Sequence, residues 1–315
     1  MPGRRRLPIA ALLLVAAASG GAGVAAATAR PAPRAPAPPS AAAAATARTI
    51  VVAAAGDVAC DGVCGQADTA AIVRRIKPRL VLGLGDYQYD TGTLANLKAH
   101  YDPYWGRFKR ITYAINGGSH DFYGTGDYLR YFNAGGPVRL RPEASYSFDA
   151  GAWHFIALNS YCFERSSCDV KRWTAWLRRD LARHKEACTL AYYHEPYWTT
   201  LSHHPEDTQL RPWIRMLYDA GVDVILQAHN HLYERFAPQT ADAKRDNARG
   251  IVGFTVGTGG RSHYPFHGAP APNSLVRNDD TYGVLALTLR PRGYGFRFVP
   301  EPGKTFADSG SGTCH

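Results

Sequence analysis

From Thr49 onward, short apolar runs alternate with stretches whose apolar positions recur at helical spacing. TIVVAAAGD (49–57) and RLVLGLGD (79–86) are buried-strand patterns, each ending in an acid. Between them QADTAAIVRRIKP (66–78) predicts a helix stopped by Pro78, TLANLKAHYDPYW (93–105) a second helix, and RITYAINGGSHD (110–121) a third strand entering a loop. This alternation builds parallel strands with helices packed on them. The middle of the chain changes character. ASYSFDAGAWHFIALNS (144–160) reads as a hairpin turning at Asp149–Gly151. DVKRWTAWLRRDLARH (169–184) is amphipathic, with Trp173, Trp176, Leu177 and Leu181 expected to pack into the core. CTLAYYHEPYW (188–198) is a strand with a histidine at its end, PWIRMLYDAG (212–221) a helix ended by glycine, and VDVILQAHNHLYER (222–235) a strand running into a histidine pair. GIVGFTVGTGG, TYGVLALTLRP and GYGFRFVP complete the set of expected strands, and no internal repeat is found.

The segments before Thr49 have a different composition. Arg4, Arg5 and Arg6 precede an apolar run from Leu7 to Ala18 that is too short for a membrane-spanning helix, and Ala-x-Ala options follow near Ala25 to Ala29. Residues 1–29 are therefore expected to be a secretory signal peptide, by the general or the twin-arginine route. Residues 30–48 are Pro- and Ala-rich and read as a semi-extended tether, leaving 49–315 as the folded domain. No other segment looks transmembrane, so the mature chain is expected to be secreted, either free or tethered at the cell surface. All six cysteines lie after the signal, and an even count in an exported chain argues for disulfides. The local pairs Cys60–Cys64 and Cys162–Cys168 are expected, leaving Cys188 to Cys314. No paired C-x-x-C pattern supports a zinc site. The formal net charge of +10 belongs in part to the signal and tether. With no long Lys/Arg run it describes a solvated basic face that favours anions, not a nucleic-acid-binding module. Oligomeric state leaves no signature.

Chemistry concentrates where strands end: Asp57, Asp86, His120 with Asp121, His194, and His229 with His231. Taken singly these have ordinary explanations, as turn residues, helix caps or satisfied core histidines. Loops at the C-terminal ends of parallel strands are where α/β folds place their sites, and five such clusters of carboxylates and imidazoles point to a two-metal hydrolytic centre.

The ordered set GDVAC, GDYQY, GSHD, YYHEP and AHNHLYER resembles the calcineurin-like metallophosphoesterases, and within them the purple acid phosphatases and their secreted bacterial relatives. The resemblance runs from about Val51 to the C-terminus. It implies a four-layer α/β/β/α sandwich with the active site on loops at strand C-terminal ends. Ala59 stands where many metallophosphoesterases have a histidine, while Tyr89, three residues after Asp86, matches the tyrosine of the purple acid phosphatases, a hard donor suited to iron. Residue by residue, the resemblance implies that Asp57, Asp86, Tyr89 and His231 hold a first metal, iron. Asp86 then bridges to a second metal, zinc, manganese or iron, held also by His194, His229 and the residue at 119. His120 would face substrate, Asp121 would orient its ring, and His203 and His204 would contact phosphate. The expected reaction is hydrolysis of a phosphate monoester by a metal-bound hydroxide, with diesters or nucleotides as alternative substrates.

Three departures stand out. Ser119 replaces the family's Asn ligand with a shorter, weaker donor, predicting weaker second-metal binding. It also motivates a rival reading, a metal- or phosphate-binding protein with little turnover. Ala228 replaces a glycine, acceptable if its backbone is not left-handed. Glu195 stands where relatives often have histidine and is positioned to support His194. A tethered surface protein whose partner binding ignores metal is the remaining alternative.

Overall fold

The computed structural model describes residues 49–123, 126–184, 188–202 and 207–315. The segments expected to be signal and tether, and the pair His203–His204, lie outside the described residues. The elements run β1 (Ile50–Ala55), α1 (Gln66–Ile76), β2 (Leu80–Gly83), α2 (Leu94–Asn96), β3 (Thr112–Ala114), α3 (Ser119–Tyr123), α4 (Asp127–Asn133), β4 (Tyr146–Ala150), β5 (Trp153–Ala157), α5 (Val170–Arg183), β6 (Cys188–Tyr192), α6 (Arg211–Asp219), β7 (Val224–Gln227), β8 (Tyr233–Phe236), β9 (Val252–Val256), β10 (Ser274–Asn278), β11 (Gly283–Arg290), β12 (Gly293–Pro300) and β13 (Ser309–Thr313). The strands form two sheets, ordered β13-β12-β11-β1-β2-β3 and β10-β8-β9-β7-β6-β5-β4.

The apolar runs explain the layering. In β1, Val52 and Ala54 point into a core between the sheets, while Ala53 and Ala55 point outward under α1 and α4. In β7, Val224 and Leu226 face the same inter-sheet core and Ile225 faces α6. Strands covered on both faces need apolar residues at every position, which is why these segments read as continuous runs. Helices α1 and α4 cover the first sheet through Ile72, Val73, Tyr128 and Phe132; α5 and α6 cover the second through Leu177, Trp213, Ile214 and Leu217. The expected four-layer α/β/β/α sandwich is the observed architecture.

Several elements differ from expectation. The segment 222–235 is two strands, not one: β7 runs parallel to one side of β9 and β8 antiparallel to the other, so the chain reverses at the histidine pair. The helix expected over 93–105 is regular only to Asn96 and then widens into a π-turn over Leu97–Tyr101. β10 and β13 had no readable pattern; β13 is SGSGT, an edge strand held by pairing to β12. Trp173 and Trp176 are half-buried on the rim of the α5–α6 core, whereas Leu177 is fully buried. The expected disulfides Cys60–Cys64, Cys162–Cys168 and Cys188–Cys314 are all present.

Asp149, His154 and His184 have the composition of a metal cluster, but the hydrogen bonds argue otherwise. His154 Nδ1 lies 2.7 Å from Asp149 and Nε2 lies 2.9 Å from Asp180. A ring with a carboxylate at each nitrogen is an imidazolium, with no lone pair for a metal. Burial opposes the charge, but the hydrogen bonds to Asp180 and Asp149 outweigh it and raise the His154 pKa above 6.5. Burial likewise opposes ionised Asp180, whose pKa is nevertheless lowered below 3.8 by hydrogen bonds from His154 and Ser147. The histidine's contribution is complete below the unfolded value near 6.5 and is lost as pH rises through the raised folded value. The aspartate's contribution is present above 3.8 and lost as pH falls through its lowered folded value. Thermal unfolding of wild type against His154→Gln should show a gap of about 3 kcal/mol at pH 5 to 6 that shrinks under alkaline conditions. A gap independent of pH would refute the imidazolium assignment.

Candidate metal centre

The site forms at the edge where both sheets present the C-terminal ends of their parallel strands. Asp57 follows β1, Asp86 and Tyr89 follow β2, His120 and Asp121 lie in α3 after β3, His194 follows β6, and His229 and His231 follow β7. Asp57, Asp86 and His229 all have left-handed backbone, with φ of 57°, 48° and 67°. L-residues other than glycine seldom adopt it, and such conformations cluster at functional sites. At His229 it ends β7 and begins the reversal of the chain into β8, with the histidine pair on the turn. Ala228 is not left-handed, so the missing glycine costs nothing there. Its Cβ instead fills the space beside Gly56, where an added Cβ would lie 2.6 Å away.

Each carboxylate has one oxygen tied to backbone and one presented inward. Asp57 Oδ2 accepts from the His229 N–H at 2.9 Å, and Asp86 Oδ1 from the His120 N–H at 3.0 Å. The Tyr89 hydroxyl lies 2.5 Å from Asp57 Oδ1, 2.8 Å from Asp86 Oδ2 and 3.0 Å from His231 Nε2. Burial and the charges of Asp57 and Asp86 push the Tyr89 phenol well above its usual pKa, so a phenolate there needs a strongly charged cation. On the other side of Asp86, ligand atoms of Asp86, His194 and His229 lie within 4.8 Å of one another.

The histidines are oriented as metal ligands are. His194 Nδ1 lies 2.7 Å from the Leu84 carbonyl, and His231 Nδ1 lies 2.7 Å from the Ser262 carbonyl. Nδ1–H therefore donates, and in the neutral ring the Nε2 lone pair points at the carboxylates, 3.2 Å from Asp86 and 3.5 Å from Asp57. The buried Nε2 of His194 makes no hydrogen bond. Burial lowers the His194 pKa, but Asp86, Asp57 and Glu195 together raise it well above its usual value; the local field attracts positive charge. Space is kept for it too: a Cβ on Gly118 would stand 2.3 Å from His194 Nε2 and 2.4 Å from Asp86 Oδ1. Hard carboxylates, a phenol and borderline imidazoles converging on one buried point fit two metal ions.

The expected roles need correction at Asp121. Its carboxylate accepts from the backbone N–H groups of Asp86 (2.7 Å), Tyr87 (3.0 Å) and Gly118 (3.0 Å). It thus fastens the β2 and β3 loops together and does not reach the His120 ring. That ring is held by the Asp90 carbonyl, 2.6 Å from Nδ1. Ser119 starts α3 half-buried, and its hydroxyl makes no hydrogen bond to a described residue. Nearby Asn116 does not take its place, because its amide is engaged by Ala144 and Tyr128. Glu195 is buried and accepts from the Ser160 hydroxyl, which itself accepts from the His194 N–H at 3.2 Å; it braces the His194 backbone, and its charge adds to the field on the ring.

Residues of the loop after β9 also belong to the site. The Tyr264 ring stacks on His231 at 3.9 Å, and the Arg261 guanidinium lies 5.1 Å over Tyr89 while pairing with Asp90 at 3.2 Å. The signal for them was positional: β9 is parallel to β7, so GTGGRSHY leaves the sheet at the same edge.

The model of the family described as calcineurin-like phosphoesterase matches residues 50–233. Purple acid phosphatase 21 of Arabidopsis thaliana is 29% identical over 238 residues, covering 67% of this chain and 50% of that protein. Purple acid phosphatase 15 of the same plant is 24% identical over 223 residues, covering 58% and 40%. The chain thus spans about half or less of these relatives. Among solved structures, GAP50, the anchor in the inner membrane complex of Plasmodium, is similar with TM-score 0.67 at 14% identity, covering 85% of this chain and 89% of that one. The purple acid phosphatase PPD1 of yellow lupin has TM-score 0.60 at 18% identity, covering 84% and 53%. At these identities the structural likeness speaks for the fold. The family-model match over most of the sandwich, with purple acid phosphatases among the relatives, places this chain in the calcineurin-like phosphoesterase family, on its purple acid phosphatase-like side.

Proposed function

We propose that this protein is a secreted phosphatase that hydrolyses phosphate monoesters at a two-metal centre. The observation that carries the reading is the shared orientation of His194 and His231, whose Nδ1 atoms are held by backbone carbonyls while their Nε2 atoms converge with Asp86, Asp57 and Tyr89. Asp57, Asp86, Tyr89 and His231 would hold iron; Asp86, His194, His229 and position 119 would hold zinc, manganese or iron. Such a pair, when bound, supplies Lewis-acid activation of water and phosphate ester.

The chain's own groups supply the rest. Asp86 serves both metal positions, because Oδ2 meets Tyr89 and His194 while Oδ1 is fixed by the His120 amide. Asp121 keeps the β2 and β3 loops in register so that Asp86 stays aimed. His120, fixed through Nδ1, has Nε2 left for substrate and, when protonated, for donating to the leaving alkoxide. His203 and His204, outside the described residues, are assigned phosphate contact by their place after the fourth motif. The leader 1–29 and tether 30–48 support export, and three disulfides suit an oxidising compartment. Among the described residues no helix is long and apolar enough to cross a membrane. N-terminal sequencing of the exported protein tests the leader; a start before residue 25 would refute cleavage at the Ala-x-Ala sites.

Ser119→Asn tests the weak point. The longer amide should tighten the second metal about 10–100-fold, read as metal retained after dialysis as well as turnover of an aryl phosphate. Turnover by wild type with added metal supports the phosphatase reading. A silent wild type whose activity appears only in Ser119→Asn would transfer this protein to the rival class, a binding protein on a phosphatase scaffold.

A further inference from the structure

A second cavity, of about 490 Å³, opens between the loop before β4 and the exposed side of α5. Four arginines line it, Arg139, Arg141, Arg172 and Arg179, together with Trp173 and Trp176; among the described residues no carboxylate does. Among the described residues, carboxylates near these in sequence have other partners, and Asp169 caps α5 by accepting from the Arg172 backbone N–H at 2.9 Å. Glu143 faces Ser167 and Arg165, and Asp180 is taken by Ser147 and His154. None of the four arginines pairs with a carboxylate of a described residue. The two indoles meet edge to face at 5.9 Å and are half-buried, and the Arg172 guanidinium lies 5.1 Å over Trp173.

All four arginines are solvent-exposed, so the hollow presents its positive charge to the surroundings. Four unneutralised guanidinium groups in one hollow repel each other, and they suit a ligand with two or more negative charges; the planar fork of arginine favours phosphate oxygens. Two indoles on the same wall add flat apolar faces for a ring to stack on. The volume suits one small molecule, since such pockets usually run about 300–1,000 Å³. The lining includes Asn116 of the loop that carries Ser119 but no proposed metal ligand, so the arginine and tryptophan wall is distinct from the metal centre. We propose that it binds a nucleoside phosphate, the phosphates on the arginines and the base against Trp173 and Trp176. This stands whether or not the metal centre hydrolyses monoesters.

The test is calorimetric titration of the full-length mature chain with α,β-methylene-ADP, which resists hydrolysis, and separately with adenosine and inorganic pyrophosphate. The analogue should bind more tightly than either half. Its affinity should survive His194→Ala, which disables the metal centre. It should fall at least about tenfold in Arg172→Ser/Arg179→Ser, from lost charge-assisted bonds. Trp173→Leu should weaken the analogue about tenfold while leaving pyrophosphate unchanged. If a helix variant unfolds, Arg139→Ser/Arg141→Ser on the facing loop reads the same loss. The proposal is overturned by absence of binding, by binding lost in His194→Ala, by arginine variants matching wild type, or by pyrophosphate binding as tightly as the analogue. A short single-stranded oligonucleotide binding more tightly than the analogue would also overturn it, assigning the cavity to a strand.

Discussion

Asp86→Asn is expected to lower turnover of an aryl phosphate monoester by on the order of 10³-fold, about 4 kcal/mol of barrier. Asparagine keeps the shape, and its carbonyl can still accept from the His120 N–H. It removes the negative charge that lies 2.8 Å from the Tyr89 hydroxyl and 3.2 Å from His194 Nε2. No other described side chain reaches both Tyr89 and His194 in this way, so both metal positions suffer together. Metal content after dialysis should fall in parallel with rate, while far-ultraviolet circular dichroism stays that of wild type. Asp121→Asn should behave differently. It weakens three hydrogen bonds to backbone without touching a proposed ligand atom, so turnover should fall less. A variant at Asp86 that kept its metals and most of its rate would contradict the bridging role.

The second large effect is on stability. Cys188 begins β6 in one sheet and Cys314 follows β13 in the other, so their disulfide joins the two sheets directly. The bond closes a loop of sequence separation 126, against 4 for Cys60–Cys64. Loop-closure entropy then assigns it about 4–5 kcal/mol, and the short loop about 2. Cys188→Ser/Cys314→Ser should lower the melting temperature by roughly 10 °C in scanning calorimetry. The C-terminal strand should loosen first, because SGSGT buries almost nothing and is held by pairing to β12 and by the His315 N–H donating to Asp223 at 3.0 Å. A shift of no more than about 2 °C would show that strand pairing alone secures the terminus.

Legibility followed physics that acts over short separations. Runs such as IVVAAA and LVLG declared strands covered on both sides because every position must be apolar when both faces are buried. The candidate aspartates and histidines stood out because they follow such runs, whereas Tyr89 and Ser119 were placed only by the family resemblance. What escaped depended on distant partners. β13 has no pattern of its own and exists through β12. Asp121 was expected beside the ring of its chain neighbour, yet its carboxylate is drawn to three amide groups that only the folded loops bring together. Arg261 and Tyr264 follow a glycine-rich strand end with no other mark, and only the parallel placement of β9 against β7 brings them to the site. Trp173 and Trp176 fitted a helical stripe, but periodicity alone does not say where a helix face stops being core and becomes the wall of a cavity.

The proposed ligand residues come from both halves of the sandwich: Asp57, Asp86 and Tyr89 from one sheet, His194, His229 and His231 from the other. A cation shared among them is therefore a clasp between layers that otherwise meet through non-directional apolar packing. If the sheets slid past each other, the ligands would part. Occupancy of the centre and cohesion of the two sheets then become one linked equilibrium, with the folded state gaining RT ln(1 + [metal]/Kd) from free metal. Metal supply in the surroundings would thus govern how long the protein lasts as well as how fast it works.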